Sequence, residues 1–106
     1  MVGWTTTEDE KTARELARSI VEAGLAACAQ VSGPITSAYA WEGAVQEETE
    51  WRLTLKFLAG NAAAISAWLA ENHPYDTPQW YAVRAETAAE DYLKWVRETA
   101  PTGQPL

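Results

Sequence analysis

A chain of 106 residues with one cysteine and a formal charge of −7 fits a single domain with a modest core. It excludes an intrachain disulfide and a cysteine-only zinc site, and it argues against nucleic acid or an anionic membrane, either of which needs a basic face. No basic segment followed by a long apolar core opens the sequence, and the longest apolar run, Ala23 to Ala29, falls far short of the roughly 20 residues that cross a bilayer, so the expected location is cytoplasmic.

Val2 and Trp4 alternate with Gly3 and Thr5, which predicts a first strand. Thr7-Glu8-Asp9-Glu10 reads as a capping box. Ala13, Leu16, Ala17, Ile20 and Val21 then recur at helical spacing, and Gly24 is the expected stop, giving a helix over Glu8 to Ala23. From Leu25 the period changes, and Ala27 to Val31 reads as a strand, which Gly33-Pro34 interrupts at an expected bulge or bend. Ile35, Ser37, Tyr39 and Trp41 continue it on one face. Glu42-Gly43 is the expected turn. After an acidic stretch, Trp51, Leu53, Leu55 and Phe57 alternate with Arg52, Thr54 and Lys56, a half-buried strand. The two strands make a long hairpin. A helix is expected over Ala59 to Asn72, capped by Gly60 or Asn61. A strand follows over Gln79 to Ala85. A second capping box, Thr87 to Glu90, introduces a last helix ending near Thr99.

The order β-α-β-β-α-β plus a terminal helix predicts an α+β, ferredoxin-like fold: a four-stranded antiparallel sheet with two helices on one face. The domain is expected over residues 1–100, with a flexible tail over 101–106. The other sheet face is left open, and six Trp are a large apolar payload for this length. Self-association through that face and the hairpin is the expectation.

No Gly-rich phosphate loop, nucleophile elbow or paired-histidine motif is present, so no catalysis is expected. The candidates are single residues. His73, the one histidine, sits in His73-Pro74-Tyr75-Asp76-Thr77-Pro78, a loop stiffened by two prolines. It reads as a metal ligand or proton carrier, or as a loop histidine satisfying a backbone carbonyl. Cys28 is a soft donor suited to copper or zinc, or a small buried hydrophobe between Ala27 and Ala29. Trp41 and Glu42 offer an aromatic wall and a carboxylate at a subunit boundary, or a hairpin turn with a packing anchor. Lys56 binds an anion, or faces solvent. Tyr75 packs its ring and hydrogen-bonds through its hydroxyl.

Taken together, the motifs Leu25-Ala26-Ala27-Cys28-Ala29-Gln30, Ile35 to Gly43, Lys56, His73 to Pro78 and Tyr92-Leu93-Lys94-Trp95 resemble the CutA (CutA1) divalent-cation tolerance proteins, over roughly Trp4 to Val96. The resemblance implies a homotrimer with inward-facing sheets, hairpins that reach across subunits, and a role in tolerance of divalent metal, notably copper. It implies that Cys28, Gln30, Trp41, Glu42, Lys56, His73 and Tyr75 line an intersubunit cleft. On that basis the expected metal ligands are His73, as the principal one through its neutral imidazole, with Cys28 and Glu42. Gln30, Trp41, Lys56 and Tyr75 are expected to hold a small ligand. The alternative is a PII-like trimer that senses an anionic metabolite, with Lys56 on the anion and Trp41 or Tyr75 as walls. The chain departs from the family pattern at Gln79, where glutamate is usual, and at Gln30, Ala44 and Asp76. Loss of the carboxylate at position 79 weakens a hard-cation site more than a histidine-based copper site.

Overall fold

Strand β3, Ala44–Lys56, sits inside a sheet of order β2-β3-β1-β4. It pairs antiparallel with β1, Val2–Thr7, on one side and with β2, Cys28–Trp41, on the other. The short β4, Tyr81–Val83, pairs antiparallel with Val2 to Trp4. The structure is a computed structural model and describes residues 1–102. The expectation of a flexible tail therefore falls mostly on residues 103–106, outside the described residues.

Alternation along β3 sorts the two faces. Leu53, Leu55 and Phe57 are each at most 1% exposed and point into the core. There they meet Ala13, Leu16, Ala17 and Ile20 of helix α1, Glu10–Glu22, and Ile65 and Leu69 of helix α2, Ala62–Asn72. Arg52, Thr54 and Lys56 take the opposite face, across from Thr6, Trp4 and Val2 of β1. That face carries neither of these two helices. The expected α+β arrangement, with helices on one side of a four-stranded antiparallel sheet, is the one observed.

Helix α1 begins later than the sequence pattern placed it. Asp9, not Thr7, is the N-cap: its carboxylate accepts from the Thr12 amide at 2.7 Å. Thr7 is the last residue of β1, and its hydroxyl donates to the Asp9 carbonyl at 2.8 Å. The helix ends as a Schellman motif. Gly24, at φ 75°, donates to the Val21 carbonyl and Leu25 donates to the Ile20 carbonyl. Leu25 and Ile20, the pair that closes this motif, are both 1% exposed. Val21, expected on the buried stripe, is 37% exposed.

The β2–β3 ladder is irregular between Ser32 and Ile35, where the Gly-Pro pair predicts it. A side chain at Gly33 would stand 2.6 Å from the Trp51 ring, so that strand can lie on the indole only because the residue is glycine. Beyond this point the hairpin runs clear of the core. Its tip, Glu42-Gly43, has positive φ at both residues, 50° and 79°, the twist-compatible two-residue turn.

Three boundaries differ from expectation at the C-terminal end. A 3-10 turn, Ala59–Asn61, precedes α2, and Asn61 gives α2 no side-chain cap. Its amide instead donates to the carbonyls of Leu25 and Ala100, each at 3.2 Å. Strand β4 is only three residues long; Trp80, just before it, packs its ring 5.9 Å from Phe57 on the same core side as Ala82. Helix α3, Glu90–Thr99, starts from Ala89 without a side-chain cap, so Thr87 forms no capping box. Helix α3 buries Val96, which forms a second small cluster with Ala27, Ala100 and Leu58. No helix among the described residues is long and apolar enough to cross a membrane.

Asn61 is 3% exposed and ties the end of α3 to the segment between α1 and β2. Asn61→Ala removes the donor from two carbonyls, an expected loss of about 1–3 kcal/mol. Urea unfolding checks this, and a loss below about 0.5 kcal/mol would mean that water replaces the amide without cost.

Candidate functional site

Helix α2 ends because Pro74 forces the residue before it out of the helical region. His73, the C-cap, is extended at φ −76° and ψ 137°. That turn carries its ring beneath β1, where it is 7% exposed. Its Nε2 lies 2.8 Å from the Thr6 carbonyl, and its Nδ1 accepts from the Tyr75 amide at 3.1 Å. An acceptor at Nδ1 leaves the proton on Nε2, so the ring is a neutral imidazole that donates to Thr6. The last β1–β4 rung is Trp4 with Tyr81. His73 thus supplies a side-chain donor to a strand carbonyl that β4 stops short of reaching.

Tyr75 sits against this ring, with centroids 4.8 Å apart, and its hydroxyl donates to Glu50 Oε2 at 3.0 Å. Glu50 is only 8% exposed. Burial first, and then the Glu50 carboxylate, push the Tyr75 phenol well above its ordinary range. Burial pulls the His73 imidazole below its ordinary value, while the Thr6 carbonyl and Glu50 partly oppose the shift. Sequence reasoning did not single out Glu50. The signal available was its place in the period-two register of Arg52, Thr54 and Lys56.

At the other end of the open face, Cys28 and Val2 flank Lys56 in register. Lys56 Nζ donates to Gln30 Oε1 at 2.7 Å. Cys28 is a free, partly exposed thiol. Lys56 lies six residues along β3 from Glu50, roughly 20 Å at strand rise. Trp41, 57% exposed, and Glu42 lie as far again beyond Glu50, at the hairpin tip.

The expected site residues therefore form three groups within one chain. Cys28 joins Gln30 and Lys56, His73 joins Tyr75, and Trp41 joins Glu42. Within one chain, neither Trp41 nor Tyr75 stands beside Lys56. His73, the expected principal ligand, has no free ring nitrogen, because coordination at Nδ1 would require the Tyr75 amide to leave it. Of its two sequence readings, the geometry is that of a histidine satisfying a backbone carbonyl. Among the described residues, no three His, Cys, Asp or Glu side chains converge as a metal site. Asp76 and Gln79 are both exposed.

A cleft of about 240 Å3 opens where β1 and β3 meet α3. Lys56, Arg84, Tyr92 and Leu93 are among its lining residues.

The family model for the CutA1 divalent ion tolerance protein matches residues 1–99. The divalent-cation tolerance protein CutA of Escherichia coli is 36% identical over 91 residues, covering 86% of this chain and 81% of that protein. Human protein CutA is 35% identical over 95 residues, covering 90% of this chain and 53% of that protein, so this chain spans about half of its length. The solved structure of the divalent cation tolerance protein (Cut A1) from Thermus thermophilus superposes with a TM-score of 0.90 at 33% identity, covering 96% of this chain and 97% of that one.

Protonating His73 would set a ring N–H against the Tyr75 N–H. The folded state therefore resists the proton that the unfolded state accepts, and stability is expected to fall as pH drops below 6.5, the ordinary histidine value. His73→Ala is expected to cost about 1–3 kcal/mol at neutral pH, by orphaning the Thr6 carbonyl and the Tyr75 amide. It should also flatten the pH dependence just below 6.5. Unfolding curves across that range check both, and an unchanged slope in His73→Ala would assign the acid sensitivity to other groups.

Proposed function

The chain belongs to the CutA1 divalent ion tolerance family, and on that premise we propose that it acts in divalent-cation tolerance as a homotrimer that binds copper between its subunits. The observation that carries this reading is the family match over residues 1–99, nearly the whole described domain. The scatter of donors within one chain supports assembly, since a complete coordination set then has to draw on more than one copy. A partly exposed thiol at Cys28 supplies the soft donor that copper favours.

Glu42 supplies a carboxylate from the hairpin tip. It holds φ 50° where asparagine or aspartate would be the easier choice, and such strain collects where a side chain is needed for its chemistry. His73 enters the coordination shell only if its Nδ1 exchanges the Tyr75 amide for the metal. No turnover is part of the proposal, as the family is named for tolerance rather than for a reaction. The cytoplasmic location expected from the sequence belongs to the same proposal.

Light scattering with size exclusion is expected to give the mass of three chains. Calorimetry with Cu2+ should show binding that Cys28→Ser weakens about tenfold or more, roughly 1.4 kcal/mol per decade, with a smaller loss for Glu42→Gln. A one-chain mass would sink the intersubunit site. Equal Cu2+ affinity in wild type, Cys28→Ser and Glu42→Gln would remove these ligands.

A further inference from the structure

We propose that the cleft between the sheet and α3 binds a small organic carboxylate, with Lys56 and Arg84 as its charge partners and Tyr92 and Leu93 as its wall. The proposal uses none of the proposed metal ligands, although Lys56 pairs in register with Cys28, and it shares only Lys56 with the residues expected to form the intersubunit site. It rests first on an imbalance of charge. The chain as a whole carries −7, yet among the described residues no acidic side chain lines this cleft, while two cationic ones do. Elsewhere, along α1, the basic residues are matched: Lys11, Arg14 and Arg18 each pair with a glutamate one turn away.

The two cations keep donors to spare. Gln30 takes one N–H of the Lys56 ammonium, which leaves two. Arg84, just past the end of β4, is exposed, and its planar fork suits a carboxylate held by two parallel hydrogen bonds. The Met1 amine, which donates to the Phe57 carbonyl at 2.7 Å, lies close enough to Arg84 that the guanidinium adds to burial in lowering its pKa. The lining thus gathers Lys56, Arg84 and the Met1 amine with no acidic side chain among the described residues, an arrangement that an incoming anion relieves.

Size and polarity narrow the ligand. A volume of about 240 Å3 is below the roughly 300–1,000 Å3 of sites for drug-sized molecules. Val2, Phe57, Leu58 and Val96 make much of the wall apolar. A carboxylate with an apolar body can bury that body there. A free phosphate would have to shed more hydration with nothing apolar to bury in return.

Benzoate is the probe, with benzyl alcohol as the neutral counterpart and inorganic phosphate as charge without an apolar body. Calorimetry or NMR titration of the full chain is expected to show saturable benzoate binding that weakens as NaCl rises. Benzyl alcohol and phosphate should each bind about tenfold more weakly or worse. Arg84→Gln and Lys56→Gln, which keep most of each side chain's bulk, should each reduce benzoate affinity about tenfold. Equal affinity for benzoate and benzyl alcohol overturns the proposal, as does undiminished benzoate binding in the double variant. Phosphate binding as tight as benzoate overturns the carboxylate assignment. A Cu2+ titration of Arg84→Gln, a residue outside the proposed metal ligands, should be unchanged, so that failure of one site is read apart from the other.

Discussion

Side-chain alternation along β3 is the constraint on which the rest of the molecule hangs. Because successive residues face opposite ways, the same strand that delivers Leu53, Leu55 and Phe57 to the helices must deliver Arg52, Thr54 and Lys56 to the bare face. A slip of one residue would exchange the two sets. It would bury charge under α1 and expose the centre of the core. Pairing on both sides fixes that register: β1 holds it from Val2 to Thr7, and β2 holds it from Cys28 outward. The functional groups inherit their places from this one choice. Glu50 reaches Tyr75 and Lys56 reaches Gln30 because both stand on the same side of one strand.

The fold was legible where a period persisted. The alternation from Trp51 to Phe57 and the stripe Ala13, Leu16, Ala17 and Ile20 are direct images of burial. The strand–helix order then left few topologies to consider. Legibility failed at the ends of elements, where neighbours in space decide. Thr7-x-x-Glu10 matches a capping box by spacing, but Thr7 is still held in the β1 ladder and Asp9 reaches the Thr12 amide instead. Asn61 has the right chemistry for a cap, and two buried carbonyls from distant segments claim it. Trp80 keeps the alternation with Ala82 and sends its ring to the core, yet it lies outside the three-residue ladder of β4.

The candidate site was legible only as residue types. Sequence could offer His73 as either a ligand or a satisfied loop histidine, and the choice depended on the Thr6 carbonyl, 67 positions away. Arg84 escaped notice because it belongs to no local pattern. The available clue was arithmetic. Of eight Lys and Arg, three are matched by glutamates at helical spacing in α1. The remaining five carry no such local partner among the described ion pairs, and two of these meet in one cleft. Family membership and local geometry therefore inform different questions. The first concerns the role of the whole chain, and the second concerns which groups have donors or lone pairs left to use.

The strand order has a consequence for how the chain comes into being. During synthesis β1 emerges first, but its two partners lie far along the chain, at residues 51–56 and 81–83. The β2–β3 hairpin, closed by a two-residue turn, can form as soon as it leaves the ribosome, since local loops close at little entropic cost. Trp4 therefore has no strand partner until Thr54 has been made. An early hairpin of this length would serve as the template, and β4 would arrive last to cover the other flank of β1.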